Sequence, residues 1–241
     1  RALADALIRR GVQGAIEYGF FPGSYRVRYK IGDPRVTIII PTKNRADLLA
    51  RCLESIKRKS TYPNFNIVII DHESDEETRS LLTSLRDCRV IQYEGEFNFS
   101  RMNNLGASHA EGGHFLFLNN DTQVLTPDWI EAMVEHSQRS EVGAVGAKLV
   151  STDGYVRHAG DVLGIGGIAG HAFDGLQAND AGYFGLAQVV RNCSCVTAAC
   201  MMVRRNVFEE LGGFDERLRV EFGDVDFCLR AQERGYRVVY T

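Results

Sequence analysis

Short apolar runs that stop at polar or acidic residues recur along the chain. Each is followed by a stretch with helical spacing, which predicts βα units around a parallel sheet. Val36 to Ile40 is a β-branched run of the kind buried on both faces, and Pro41 ends it. Behind it Asn44 is placed to cap a helix, with Asp47 at the third helical position, and Leu48, Leu49, Cys52, Leu53 and Ile56 form one core-facing stripe. Asn66 to Ile70 repeats the strand and stops at Asp71, and the polar loop HESDEET leads to a helix marked by Leu81, Leu82 and Leu85. Arg89 to Tyr93 predicts a third strand, and Ser100 to Ala110 a further helix. In His114 to Val124, HFLFLNNDTQV, a buried strand ends on Asn119, Asn120 and Asp121, polar side chains that need solvent, a ligand or backbone partners. Thr126-Pro127-Asp128 reads as N-cap, first helical position and first-turn acid of a helix whose Trp129, Ile130, Met133 and Val134 share a face.

The pattern differs at the two ends. Residues 1–34 predict a lead-in segment, with a short helix from Ala2 to Arg10 and a Gly- and Tyr-rich connection. After Ser140 the chain turns Gly-rich, with VGAVGAKLV as a strand and short strands and loops to about residue 196. A strand from Val196 to Arg204, short helices from Asn206 to Leu211 and Phe227 to Arg234, and a strand from Arg237 to Tyr240 complete it. Gly164 to Ala169 matches G-x-G-x-x-A, but a dinucleotide fingerprint must open a helix in the first βα turn. The following HAFDGLQANDAG is poor in helix formers, so no dinucleotide coenzyme is expected. The alternation up to Gln138 matches a nucleotide-binding half with right-handed crossovers.

At 241 residues, with 44% hydrophobic and 24% charged content, the chain fits one large globular domain or two small ones. Its 31 acidic against 28 basic residues, net -3, give no electrostatic reason to expect nucleic acid. No apolar run reaches membrane-spanning length, and RALADALIRRG lacks a signal peptide's apolar core. The first residue is not Met, so the chain is expected to be part of a longer one. Six cysteines without framework spacing suit a reducing compartment. Cys193, Cys195 and Cys200 cluster, but the apolar VTAACMMV and the lack of a fourth local ligand predict buried thiols.

Acidic residues gather where elements end: Asp71 with Glu73 and Asp75, then Asp121, then Asp224 with Asp226. An Asp at a strand tip suits Mg²⁺ or Mn²⁺ held against phosphates, and a second Asp set apart suits a base acting on a hydroxyl. The bland alternatives are that Asn119 to Asp121 form a self-bonded turn and that Asp224 and Asp226 cap a helix.

The succession TIIIPTKNR, IVIIDHESDEET, NFSRMNNLG, FLFLNNDTQV, VTAACMMV, GGFDE and GDVDFCLRAQERGYRVVYT resembles glycosyltransferase family 2 over residues 36–241. It is most similar to the bacterial, rhamnosyltransferase-like branch that builds O-antigen and other surface polysaccharides. The resemblance implies the GT-A fold, an α/β architecture with a mostly parallel central sheet flanked by helices. Residues 35–140 would form the nucleotide-binding half and 141–241 an acceptor and catalytic half shortened at its C-terminus. It implies that Pro41, Thr42, Asn44 and Arg45 meet the nucleotide, that Asp71 bonds its base, and that Asn104 contacts it, with Asn103 replacing the usual Arg. Asn119-Asn120-Asp121 stands for the family's Asp-x-Asp, with Asp121 the ligand of Mn²⁺ or Mg²⁺. Asp224 stands for the catalytic base, with Gly223 replacing the preceding Glu. The family's further His beyond the last strand has no counterpart before Thr241. Acceptor-side candidates are His158, His171, Asp215 and Arg230. The implied reaction is inverting transfer from a nucleoside diphosphate sugar to a glycan or lipid-linked glycan, in the cytoplasm or peripherally at the inner face of the membrane. A GT-A module that binds without turnover is the alternative, favoured by Asn119, Asn103 and Gly223. A Rossmann oxidoreductase is the third class.

Overall fold

The computed structural model describes Arg1–Thr241. In chain order the elements are α1 (Ala2–Arg9), β1 (Gly14–Tyr18), β2 (Tyr25–Tyr29), β3 (Val36–Thr42), α2 (Ala46–Lys59), β4 (Phe65–His72), α3 (Glu76–Ser84), β5 (Cys88–Tyr93) and α4 (Phe99–Ser108). They continue with β6 (His114–Leu118), α5 (Trp129–Ser137), β7 (Val142–Gly146), β8 (Leu149–Val150), β9 (Val156–His158), β10 (Asp161–Leu163) and β11 (Ala169–His171). The last are β12 (Arg191–Asn192), β13 (Cys200–Arg204), α6 (Arg205–Glu210), α7 (Gly223–Glu233) and β14 (Arg237–Tyr240). One eight-stranded sheet in the order β12-β14-β7-β13-β6-β3-β4-β5 organises the molecule. β3 is parallel to β4 and β6, β4 to β5, and β7 to β14. β13 enters antiparallel between β6 and β7, and β12 closes the far edge antiparallel to β14.

Because side chains alternate along β3, Ile38 and Ile40 feed one apolar layer, with Leu49, Ile56 and Leu116, while Ile39 feeds the other, with Phe117, Met201 and Phe208. Helices cover both layers. The lead-in segment is held at several places: Arg28 of the β1–β2 hairpin pairs with buried Glu135 and with Asp128 on the α5 side, Gln138 bonds Gly32 N–H and Lys30 O, and Tyr62 donates to Pro34 O. No helix is long and apolar enough to cross a membrane.

Several expected boundaries move for identifiable reasons. Pro41 continues β3 rather than ending it: β6 pairs only as far as Ile39, so a residue without an N–H is accommodated beyond that point. Asn44 does not cap α2; Arg45 stands at that position, both have positive φ (57° and 59°), and the Asn44 side chain is used elsewhere. α5 begins at Trp129, because Thr126 starts a turn and the Asp128 side chain goes to Arg28. β13 starts at Cys200, leaving residues 196–199 as a loop, and α7 starts at Gly223, four positions before the expected Phe227. The G-x-G-x-x-A match lies in the β10–β11 hairpin, away from any βα turn.

Close packing of α4 on the sheet makes one residue decisive. A Cβ on Gly106 would sit 2.3 Å from Ile39 Cγ2 and 3.4 Å from Ile70 Cγ1, both in the same buried layer. Gly106→Ala is therefore expected to destabilise the fold by about 1–3 kcal/mol, despite alanine's better helix propensity. Gly113→Ala, where a Cβ meets nothing within 4 Å, is the control. Urea midpoints check this: equal shifts for the two variants would show that α4 can move outward freely.

Candidate active site

The carboxyl ends of β3, β4 and β6 lie side by side, and the polar residues that follow them are tied together. Thr42 and Asp71 are register partners, 2% and 0% exposed. The Asn120 side-chain amide donates to Thr42 Oγ1 at 2.8 Å, joining the β6 tip to the β3 tip. Asn44 N–H donates to Ser74 Oγ at 2.9 Å, and Asn44 Oδ1 accepts from Asp75 N–H at 2.8 Å, so the first βα loop is fastened to the second. Asp71 Oδ1 accepts from Ser74 N–H at 3.3 Å, while Asp71 Oδ2 is buried without a partner. Leaving a buried carboxylate oxygen unpaired is costly, and the usual explanation is a missing donor. Beside Asp71, His72 Nε2 donates to Gly95 O, 2.8 Å away, because a carbonyl oxygen can only accept. Its ring packs against Tyr93 and the exposed Phe97, with the latter centroid 5.8 Å away.

At the β6 tip the Asn119 amide and the exposed Asp121 carboxylate make no side-chain hydrogen bond within the protein. The self-bonded turn expected as the bland alternative is therefore made by Thr122 Oγ1 donating to Asn119 O, without Asp121. Oxygen donors at an open strand end fit a hard divalent ion that retains water. Arg45 lies close enough for Asp121 to favour its charge, after the larger effect of its hydrogen bond to Asp47.

A second, adjoining site surrounds Asp224. Its Oδ2 accepts from Ala198 N–H at 2.8 Å and its Oδ1 from Val225 N–H at 2.9 Å. Neither is the N2 or N3 bond of an ordinary cap, and the N-cap is Phe222, with φ 64°. Burial raises the Asp224 carboxyl above its ordinary range, and the two amides oppose that rise. A Cβ on Gly223 would lie 2.7 Å from Ser100 Oγ, which explains in packing terms why no longer residue precedes Asp224. Asn119 N–H donates to Ala199 O at 3.0 Å, so consecutive residues 198 and 199 hold Asp224 and the β6 tip.

Asp224 opens onto a cavity of about 400 Å³ that His171, Asp161 and Thr197 also line. His171 Nδ1 is 2.6 Å from Asp161 Oδ1, and His158 Nε2 is 3.8 Å from the same oxygen. His158, Asp161 and His171 bring ligand-capable atoms within 4.8 Å of one another. Hydrogen bonds already occupy most of those atoms: His158 Nδ1 faces Ala147 O at 2.8 Å, and its Nε2 accepts from Thr197 N–H at 3.3 Å. Burial holds His158 down at about 4, whereas the Asp161 hydrogen bond raises His171.

Other sequence candidates have different tasks. Asn104 donates to Phe214 O and Glu216 Oε1 and accepts from Phe214 N–H, so its amide clamps the GGFDE segment. Asn103 is buried and donates to Phe99 O, within α4. Arg230 pairs with Asp226 and reaches Leu211 O and Gly213 O, and Asp215 pairs with Arg217, all outside the Asp224 cavity. The three clustered cysteines are free thiols, with burial pushing Cys193 to about 11 and Cys195 and Cys200 to about 12. Sequence reasoning missed Asp161, Thr197 and Phe222. Only Asp161 carried a signal, since it and His171 flank the Gly-rich turn.

Residues 37–212 match the sequence profile described as Glycosyl transferase family 2. The chain is 42% identical to the O-antigen biosynthesis protein RfbC of Myxococcus xanthus, over 100% of its own length and 19% of that protein. It is 26% identical to the O-antigen chain rhamnosyltransferase RfbN of Salmonella typhimurium, over 86% of its length and 63% of that protein. The chain thus spans about a fifth of the first relative. Among solved structures it superposes, with TM-score 0.62 and 18% identity, on the mannosyltransferase PcManGT of Pyrobaculum calidifontis in complex with GDP-Man and Mn²⁺, covering 100% of this chain and 64% of that one.

Proposed function

The chain belongs to glycosyl transferase family 2, in the branch of the O-antigen biosynthesis proteins and with the GT-A fold, and we propose that it transfers a sugar from a nucleoside diphosphate donor to an acceptor hydroxyl with inversion. The acceptor is a growing surface glycan, free or lipid-linked. The observation that carries this reading is the strip Ala198-Ala199, which binds Asp224 on one side and the Asn119 to Asp121 tip on the other. The base and the leaving-group site are thereby joined through two consecutive residues of one loop.

In this arrangement Asp71 Oδ2 accepts an N–H of the donor's base, and the exposed Phe97 offers that base an apolar face. Asn44 and Thr42 hold the loop over the phosphates, and Arg45 reaches them from the rim. Asp121, with Asn119 beside it, would hold Mn²⁺ or Mg²⁺, which supplies positive charge for the departing diphosphate. Asp224 takes the proton of the acceptor hydroxyl at a carboxylate oxygen, and its burial makes that oxygen a better base than an exposed carboxylate.

A binding module without turnover remains a distinct reading because Asn119 replaces one acid at the tip. Donor consumption separates the two: hydrolysis or transfer from UDP-, GDP- or dTDP-linked sugars supports the enzyme, and tight binding with no consumption across an acceptor panel supports the module. Asp71→Ala is expected to weaken the preferred nucleoside diphosphate roughly ten- to a hundredfold, the value of a hydrogen bond to a buried charge, and to flatten preference among bases. Calorimetry with UDP, GDP and dTDP measures this. Unchanged preference would remove Asp71 from base recognition.

A further inference from the structure

Asp161 and His171 face each other across the β10–β11 hairpin as register partners. Asp161 is 4% exposed, and its backbone is pinned by a hydrogen bond from its N–H to Cys195 O at 2.9 Å. With Asp161 Oδ1 2.6 Å from His171 Nδ1, that nitrogen is the donor, and the half-exposed ring turns only Nε2 toward other partners. Asp224, Thr197, Phe99, Phe222 and Glu221 also line the cavity it borders.

We infer that His171, oriented by Asp161, is an acceptor-binding residue: its Nε2 hydrogen-bonds one hydroxyl of a neutral sugar whose neighbouring hydroxyl faces Asp224. This rests on the reading of Asp224 as the base. The class of acceptor follows from the charges. Three acidic residues, Asp161, Asp224 and Glu221, line the cavity against the one imidazole of His171, so a uronate or phosphate at this subsite is disfavoured. Phe99 and Phe222 offer apolar faces for the C–H side of a pyranose. The charged groups acting on His171 are Asp161, Asp224 and Asp174, all acidic, while His158 behind Asp161 is neutral near pH 7. Each acid favours the protonated ring, in which Nε2 donates to the hydroxyl; in the neutral ring the same nitrogen accepts from it. Asp161 is the positioning residue, fixing which nitrogen is left for the acceptor.

The test uses the chain with UDP or GDP present, methyl glycosides of neutral hexoses and 6-deoxyhexoses, and methyl glucuronide. The His171 Cε1–H NMR signal, assigned by its loss in His171→Gln, should titrate above the ordinary 6.5 and move down in Asp161→Asn. A neutral glycoside should shift that signal and bind roughly ten- to a hundredfold more weakly to His171→Ala. His171→Gln, which keeps an N–H donor, should recover part of the loss, and the glucuronide should bind less well than the neutral sugars. Equal glycoside affinity for wild type and His171→Ala, or no glycoside response at His171, overturns the inference. So does joint loss of the His158 and His171 signals at stoichiometric Mn²⁺, which would make the cluster a metal site. Failure of every nucleoside diphosphate to bind would instead sink the transferase reading, while the glycoside titration still decides the role of His171.

Discussion

Asp224→Asn is expected to lower sugar transfer by about 10²- to 10⁴-fold, the usual contribution of a positioned general base, with nucleoside diphosphate affinity unchanged. The substitution keeps shape and removes charge, so the acceptor hydroxyl loses its proton sink while the donor side is untouched. Both carboxylate oxygens accept backbone N–H groups, from Ala198 and Val225. An asparagine must turn its NH₂ toward one of them, which adds a stability loss of about 1–3 kcal/mol. A melting curve on the same sample keeps that loss apart from the loss of turnover. The pH profile gives a second readout. The base works deprotonated, and burial raises its pKa, so the acid limb of kcat should fall at a higher pH than an exposed aspartate would give. Wild-type turnover in the variant would reduce Asp224 to a clamp on the loop at Ala198.

The parallel half of this fold was readable from sequence because each strand there is buried on both faces and ends abruptly in polar residues. Ile38 to Ile40 and Phe115 to Leu118 have little freedom to be anything else. The Gly-rich half was harder, since β8 to β12 are two or three residues long and are fixed by tertiary pairing rather than by a period. For the same reason Asp161 and His171 become neighbours only through the hairpin. Helix starts moved where an expected cap or first-turn acid had a tertiary partner instead: Asn44 goes to Asp75 N–H, and Asp128 to Arg28. The candidate site divides likewise. Asp71, Asp121 and Asp224 lie where motif order put them, at two strand ends and a helix start, whereas Asn104 is consumed by Phe214 and Glu216, contacts with no trace in local sequence.

Asp121→Asn is expected to remove the gain in nucleoside diphosphate affinity that Mn²⁺ provides, a loss of roughly tenfold or more, the least that one charge-assisted contact amounts to. The reasoning begins with what Asp121 does not do in the folded chain. Its carboxylate is exposed and has no hydrogen bond or ion pair to lose, so the variant should melt like wild type, within about 0.5 kcal/mol. Asn119 contributes no charge, which leaves Asp121 as the one carboxylate of the β6 tip. A hard ion with so few protein ligands depends on the diphosphate for the rest of its shell, so metal and nucleotide should each strengthen the other's binding. That reciprocity is the measurement. Titrating UDP or GDP with and without Mn²⁺ should show coupling in wild type and none in Asp121→Asn. The rival metal location is the His158, Asp161 and His171 cluster, and Asp161→Asn tests it on the same instrument. Coupling that survives Asp121→Asn and disappears in Asp161→Asn would move the ion from the donor tip to the hairpin and undo both the metal assignment and the role given to His171.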